Sequence, residues 1–510
     1  MSFHRRAETA STIPAPYVFA PSGTFDGNDG SWSTFMINVG DATGDGHSGQ
    51  NFKVLISTGG SVVTIPAQAD WCNEPDKDSC AEARGIQTFN AKQSLGFASG
   101  SSASWQQIGI YNLPLPAAIE LYPDLKPNAT YGHDTVGLGA DSAASLMLTT
   151  QLVAQIITED FFMGVFGLSD TALSIGGGPI DTFLTNFQSA NQTPSLTYGY
   201  SAGAKYRNTA GVLASLTLGG YDQSRFSSHG ISMQMPAGNS SLIVGVQSIT
   251  VAPDPNIESN VYSMTAGTSG FLATIDSTLP YLWLPDPICD AIADRFRLTY
   301  DNNTNLYTLN DTSHSYNVNQ NATMTFIIGP GANPSNDVAS IVLPYAALDL
   351  TASFPIYDNS TKYFPLKRSP TGVFVLGRAL LQEAYLIVDY DRKNFTVAPA
   401  NYTDPMPESH IVTIFPSSYV PPSPHKKSGL STGAIAGIGA GCGVLGLILI
   451  GLAIWFFIRR RNRNKPVKPP PPSEIDTLAA GTEVKKRRIS ELDSTTSSPP
   501  PRFSESAGYF

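Results

Sequence analysis

Two stretches of this 510-residue chain repeat one plan, and the repeat restricts the fold more than any other feature. Residues 52–66 read FKVLISTGGSVVTIP and residues 270–285 read GFLATIDSTLPYLWLP. Each is a β-rich run, a small polar turn, and a second β run ending at proline. Each is followed far along the chain by two apolar residues and a glycine. Gly167 of Val165-Phe166-Gly167 lies 110 positions after Ser57, and Gly377 of Val375-Leu376-Gly377 lies 101 after Asp276. A duplication of this kind predicts two β lobes that face their turns across a cleft. The chain between 31 and 400 agrees, with runs such as STFMINVG, VLASLTLGG and AYLIVDY set between Gly, Pro and Asn. Helical periodicity is confined to 141–160 and 287–297.

No charge occurs between Lys427 and Arg459, and the middle of that stretch reads GAIAGIGAGCGVLGLILIGLAIWFFI. A bilayer is spanned by about 20 apolar residues, so 429–458 is expected to be a transmembrane helix. Arg459, Arg460, Arg461, Arg463 and Lys465 follow at once, which places 459–510 in the cytoplasm and 1–428 outside or in a lumen. The Asn-x-Ser/Thr sequons Asn128, Asn191, Asn239, Asn302, Asn310, Asn321, Asn359, Asn394 and Asn401 all precede the helix, as a glycosylated ectodomain requires. The net charge of −10 divides the same way: 459–510 holds 11 Lys/Arg against 6 Asp/Glu, net +5, leaving −15 on the rest. Such a balance excludes a globally basic nucleic-acid binder, so no nucleic-acid partner is expected. Four cysteines exclude a disulfide scaffold, and 45 Gly with 38 Pro exclude a coiled coil. Residues 1–31 carry a basic patch without an apolar run, so no signal peptide is read there and the true start is expected upstream. Residues 403–428, rich in Pro and Ser, read as a stiff stalk.

With the two turns and their closing glycines goes a resemblance to the pepsin-like aspartic peptidases. That family carries Asp-Thr-Gly-Ser/Thr in each lobe, closed by an apolar-apolar-Gly strand. YGHDTVGLG (131–139), LTLGGYDQSRF (216–226) and FVLGRALLQEAYLIVDYDRKNFTVAPA (374–400) are similar to further family segments. Cys80, Arg84, Gly85 and Trp105, with the YFPL…LGR…LQEAYLIVDY ending, resemble fungal membrane-anchored members, which suggests a fungal cell surface. The resemblance implies a mostly β, bilobal double-β-barrel fold, with lobes at 32–228 and 229–402, followed by one transmembrane helix and a disordered cytoplasmic tail.

Activity in that family needs two carboxylates that share one proton, one as base for the attacking water and one to polarise the carbonyl. Position by position, the first catalytic Asp falls on Ser57, with Thr58 and Gly59 kept. The second is Asp276, followed by Ser277 and Thr278 where the family has Thr and Gly. A serine hydroxyl is neither acid nor base near neutral pH, and no His stands at a partner position to make Ser57 a nucleophile. Asp276 alone reads as a hydrogen-bonded structural carboxylate. Tyr131 matches the strand after the family's flap; Tyr111 and Tyr122 are weak candidates for the flap tyrosine, because 111–130 is Pro-rich without a recognisable flap. Arg378 follows Gly377 where the family usually has Asp. The expected function is therefore a catalytically impaired surface protein that binds or senses peptide or wall material in the cleft. The alternative is a membrane-anchored acid endopeptidase.

Cys72 and Cys80 are close and exported, so a small-loop disulfide is expected. Cys289 is left as a buried free thiol or an intermolecular partner. Scattered His133 and His314 show no ligand spacing, so no metal is assigned. GCGVLG (441–446) matches a nucleotide fingerprint but lies inside the apolar span, and no cofactor is expected. Gly433, Gly437 and Gly441 form a small-residue ladder that suits either a homodimer or a lipid-facing helix. In the tail, KPPPPS and SSPPPR suit SH3- or WW-type grooves, and Ser490 in KKRRIS resembles a kinase site. The basic runs equally suit contact with the anionic inner leaflet.

Overall fold

The computed structural model describes residues 13–44, 48–73, 76–120, 125, 127–140, 146–421 and 449–460. The first lobe is an eight-stranded sheet in the order Pro21–Asp26, Trp32–Val39, Gln50–Ser57, Gly164–Gly167, Val63–Pro66, Leu146–Ile156, Asn128–Leu138, Gln106–Asn112. Trp32–Val39 also pairs with Asn128–Leu138, which curls the sheet toward a barrel. The second lobe orders Ala339–Pro344, Thr323–Gly329, Ile243–Ala252, Phe271–Ile275, Val375–Leu376, Leu282–Leu284, Leu366–Arg368. A six-stranded sheet joins them, with Thr197–Ser201 of the first lobe antiparallel to Ala384–Asp389 of the second. One apolar core runs through both, from Phe35, Ile56 and Phe166 to Ile275, Leu282 and Leu376, all buried. Burying each such side chain contributes about 1.5–3 kcal/mol.

The repeat has a common geometry. Gly164–Gly167 runs parallel to Gln50–Ser57 and antiparallel to Val63–Pro66, so it passes between the two arms of the first turn. Val375–Leu376 does the same between Phe271–Ile275 and Leu282–Leu284. The closing glycines are required by contact: a Cβ on Gly167 would lie 2.6 Å from the Gly60 oxygen, and one on Gly377 would lie 2.3 Å from the Tyr281 oxygen.

Three sequence-based expectations change. The helix expected at 141–160 is a strand, Leu146–Ile156, over its described part. It lies inside the sheet with both faces largely covered, and a strand buried on both faces loses the alternation that would distinguish it from a helix. The other expected helix is present as Asp286–Phe296. The first lobe begins before residue 32: Tyr17–Phe19 pairs with Ser215–Leu218, and Pro21–Asp26 forms the edge of the barrel sheet. The expected stalk is partly docked. Ile411–Thr413 pairs with Gly220–Asp222, and the Ser195 hydroxyl bonds the Ile414 carbonyl at 2.5 Å. The compact unit accordingly runs to Val420.

Asp222 clamps this extension, accepting hydrogen bonds from the Ser409 hydroxyl at 2.7 Å and the His410 amide at 2.9 Å. Burial pushes the Asp222 carboxyl up, but the bonds from Ser409, Ser224 and His410 outweigh it and hold it below the usual carboxylate value. A lowered carboxyl stabilises above its unfolded value and loses that contribution as pH falls through its folded one. The docking should therefore persist through mild acid and weaken only below the ordinary carboxylate range. Asp222→Ala removes the two bonds that hold this extension, worth about 1 kcal/mol each, together with those Asp222 accepts from Ser224. Amide exchange over 409–415 is expected to speed by about tenfold or more as local opening becomes easier.

Cys72 and Cys80 form the expected disulfide, with Cα atoms 5.7 Å apart. Cys289 is free and buried, its thiol pushed up to about 12 by burial, which makes it inert. Arg84 is fully buried and spends its guanidinium on the carbonyls of Ala67, Ile156 and Phe162 while stacking on Trp71. It thereby fixes the 161–163 segment that walls the cleft. Seven of the nine sequon asparagines are exposed, and Asn394 and Asn401 are half-buried. Most of the expected membrane span, together with Gly433, Gly437, Gly441 and Ser490, lies outside the described residues. Residues 449–460 are helical with apolar side chains exposed, and among the described residues no helix is long and apolar enough to cross a membrane.

Candidate active site

The two turns meet where the repeat predicts. Their second residues lock the lobes together reciprocally. The Thr58 amide donates to the Ser277 hydroxyl oxygen and the Ser277 amide donates to the Thr58 hydroxyl oxygen, each at 3.0 Å. The Ser277 hydroxyl donates onward to the Ile56 carbonyl at 2.6 Å. Thr58 and Ser277 are buried, so this is a rigid crossing of two backbones. Substituting Ser for the family's Thr leaves these bonds in place, since only the hydroxyl is needed.

Immediately outward, Ser57 and Asp276 face each other through Thr278. The Thr278 hydroxyl lies 2.6 Å from Asp276 Oδ1 and 2.5 Å from Ser57 Oγ. The Thr278 amide also donates to Asp276 Oδ1, at 2.9 Å, and the Gly60 amide donates to Ser57 Oγ at 2.7 Å. A hydroxyl has one proton. With Asp276 ionised, Thr278 gives its proton to the carboxylate, so Ser57 must donate to Thr278. The chain of donors runs one way, from Gly60 through Ser57 and Thr278 to Asp276. The hydroxyl that touches both turn positions is thus a side chain of the protein.

A sequence profile of the family described as "Eukaryotic aspartyl protease" matches residues 43–401. The chain belongs to the eukaryotic aspartyl protease family. It is similar to Candidapepsin-3 of Candida albicans (strain WO-1), 24% identical over 360 residues, covering 70% of this chain and 78% of that protein. It is also similar to Candidapepsin of Candida tropicalis, 25% identical over 361 residues, again covering 70% and 78%.

In this aspartyl protease fold the electrostatics at the turns are unusual. Burial pushes the Asp276 carboxyl up, against hydrogen bonds from Thr278 and the Gly59 amide and the positive charge of Arg378. Gly59 lies so close that a Cβ there would sit 2.6 Å from Asp276 Oδ2. Arg378 is 2% exposed, and its Nη1 donates to the carbonyls of Ser277 and Thr278 at 3.0 and 3.2 Å. Its Nη2 lies 3.6 Å from Asp29, and its guanidinium stacks on Trp32. A hydroxyl, Ser57, stands at one turn and a carboxylate, Asp276, at the other, and the Arg378 guanidinium bonds the backbone of the second turn. Asp276 therefore lies within the field of a cation, and the Ser57 hydroxyl opposite supplies no like-charge coupling of the kind that makes two carboxylates share a proton.

Two cavities flank Thr278 and share it, with Phe161 and Val165, as a common wall. One, of about 340 Å³, is lined by Ser57, Gly60, Ser61 and the Leu113–Ala117 segment. The other, of about 490 Å³, is lined by Leu55, Leu279, Tyr281, Trp283 and Lys367 among others. The Pro-rich 113–120 segment does stand where a flap would, as the tip of the Gln106–Asn112 and Asn128–Leu138 hairpin; Leu113 to Ala117 line one cavity and Ile119 the other. Tyr111 and Tyr131 pack against each other with ring centroids 6.1 Å apart, and Tyr131 is fully buried with its hydroxyl on the Asn112 carbonyl. Tyr122 lies outside the described residues. Sequence reasoning missed Asp29 and Lys367. Asp29 lies outside the repeat, and Lys367 sits in a three-residue strand, Leu366–Arg368, whose basic pair reads as a solvated edge.

Proposed function

We propose that this protein is a catalytically impaired aspartyl protease homologue that uses its cleft to bind extended peptide at a cell surface. The observation that carries the reading is the Thr278 hydroxyl bridging Ser57 and Asp276. In an active member the attacking water must touch two carboxylates; here a threonine oxygen touches one carboxylate and one serine. The cleft itself is intact, with the interlobe lock made and cavities on both sides. We further read the chain as a type I single-pass membrane glycoprotein, from the uncharged 428–458 stretch, the basic residues after it and the sequons before it. Its basic, proline-rich tail would then meet the inner leaflet or SH3- and WW-type domains, and the Gly433, Gly437, Gly441 ladder would allow two helices to pair. A secreted or surface setting accords with a relative named "Secreted aspartic protease 3" from Candida albicans.

The second reading, an acid endopeptidase with altered chemistry, draws on the retained Asp276. Incubating the full-length protein with denatured substrate across about pH 3–6 separates the two. No cleavage above background is expected, with or without pepstatin, and Asp276→Asn should change nothing. Pepstatin-sensitive cleavage abolished by Asp276→Asn would establish the peptidase instead.

A further inference from the structure

The larger cavity contains a cation without a carboxylate partner. Lys367 pairs through its backbone with Trp283 in the parallel strands Leu366–Arg368 and Leu282–Leu284, and its side chain enters the cavity wall. Its ammonium has three protons to donate. It makes one long hydrogen bond, 3.3 Å to the Thr304 carbonyl, and lies over the Tyr281 ring at 4.5 Å. The other cation lining this cavity, Arg378, is matched by Asp29 at 3.6 Å. Among the described residues no carboxylate lies within ion-pair distance of Lys367. Burial pushes the ammonium down to about 8, with Asp160 of the same lining acting only through space in the opposite sense. The lining is mixed: Leu55, Met163, Leu306 and Ile356 supply its apolar part, and Glu159, Asp160 and the Arg378-paired Asp29 its acidic part. A charge placed in such a lining costs solvation that only a partner charge and further hydrogen bonds restore.

We infer that this cavity selects the carboxylate of an acidic peptide side chain, held by Lys367 beside the apolar part of the lining. The inference rests on the reading of the cleft as a peptide site and specifies which peptide. The cavity opens against Thr278, so a chain lying across the two turns would pass its mouth. An apolar stem ending in a carboxylate matches the lining: methylenes meet Leu55, Met163 and Ile356, and the oxygens take the free ammonium protons in a charge-assisted bond. Glutamate has the longer stem and is the better fit.

The test is binding of blocked octapeptides to the full-length protein in detergent, each carrying Glu, Gln, Leu or Lys at one scanned position on an Ala/Ser background. At one position Glu should bind about tenfold or more tighter than Gln, the range for a hydrogen bond to a charged group, and Lys should bind worst. Lys367→Met should erase the Glu–Gln difference, and Lys367→Arg should retain a preference for Glu. Equal binding of Glu and Leu peptides by the unchanged protein overturns the inference but leaves the cleft as a peptide site. No binding by any peptide removes both. The Glu–Gln comparison needs no variant, so misfolding of Lys367→Met does not affect it.

Discussion

Ser57→Asp combined with Ser277→Thr and Thr278→Gly is expected to create pepstatin-sensitive cleavage in acid, about 10²–10⁴-fold above the unchanged chain, the contribution of a positioned acid–base group. Each substitution has a separate task. Ser57→Asp supplies the missing carboxylate on a turn already shaped for it, with the Gly60 amide in place as a donor. Thr278→Gly removes the hydroxyl that occupies the bridge and leaves room for water between the two acids. Ser277→Thr matters least, because the reciprocal bonds with Thr58 are already made. The measurement is hydrolysis of denatured substrate by the triple variant, by Ser57→Asp alone and by the unchanged chain. Activity should rise in that triple variant and stay low in the single one. An inactive but folded triple variant would show that the turn residues alone do not account for the missing activity.

Arg378→Met should be the most destabilising single change in the cleft. It breaks three contacts at once, to the Ser277 and Thr278 carbonyls and to Asp29, and leaves Asp29 without its counter-ion. Removing one partner of a buried charged cluster costs roughly 3–5 kcal/mol, read as a lower urea midpoint for unfolding. Arg378→Lys should recover only part of the loss, since an ammonium cannot fork between two carbonyls and a carboxylate while stacking on Trp32. A midpoint unchanged in Arg378→Met would show that the guanidinium is incidental to the site.

What could be read in the sequence was what backbone geometry imposes on residue type. The turns needed small polar residues between β runs, and the crossing strands needed glycine where Gly167 and Gly377 press on the opposite backbone. These requirements made the bilobal fold and the positions of Ser57 and Asp276 legible. Side-chain relationships between distant segments were not. Arg378 was visible as a departure, but its partner Asp29 comes from the other end of the chain and nothing local couples them. The bridge made by Thr278 depends on where a hydroxyl points, which residue type alone does not determine. Leu146–Ile156 misled because a strand covered on both faces shows no alternation, and Tyr17–Phe19 was overlooked because three residues are too few to show a period.

The docked segment 409–415 has a mechanical consequence. The compact unit ends at Val420, so any tension on the chain beyond that point reaches the lobes only through this segment. The first elements to bear load are the Ile411–Thr413 pairing, the Ser195 hydroxyl on Ile414 and the Asp222 clamp, rather than the buried cores. If the chain's far end were held, release of these contacts would lengthen the tether before load reached the buried cores.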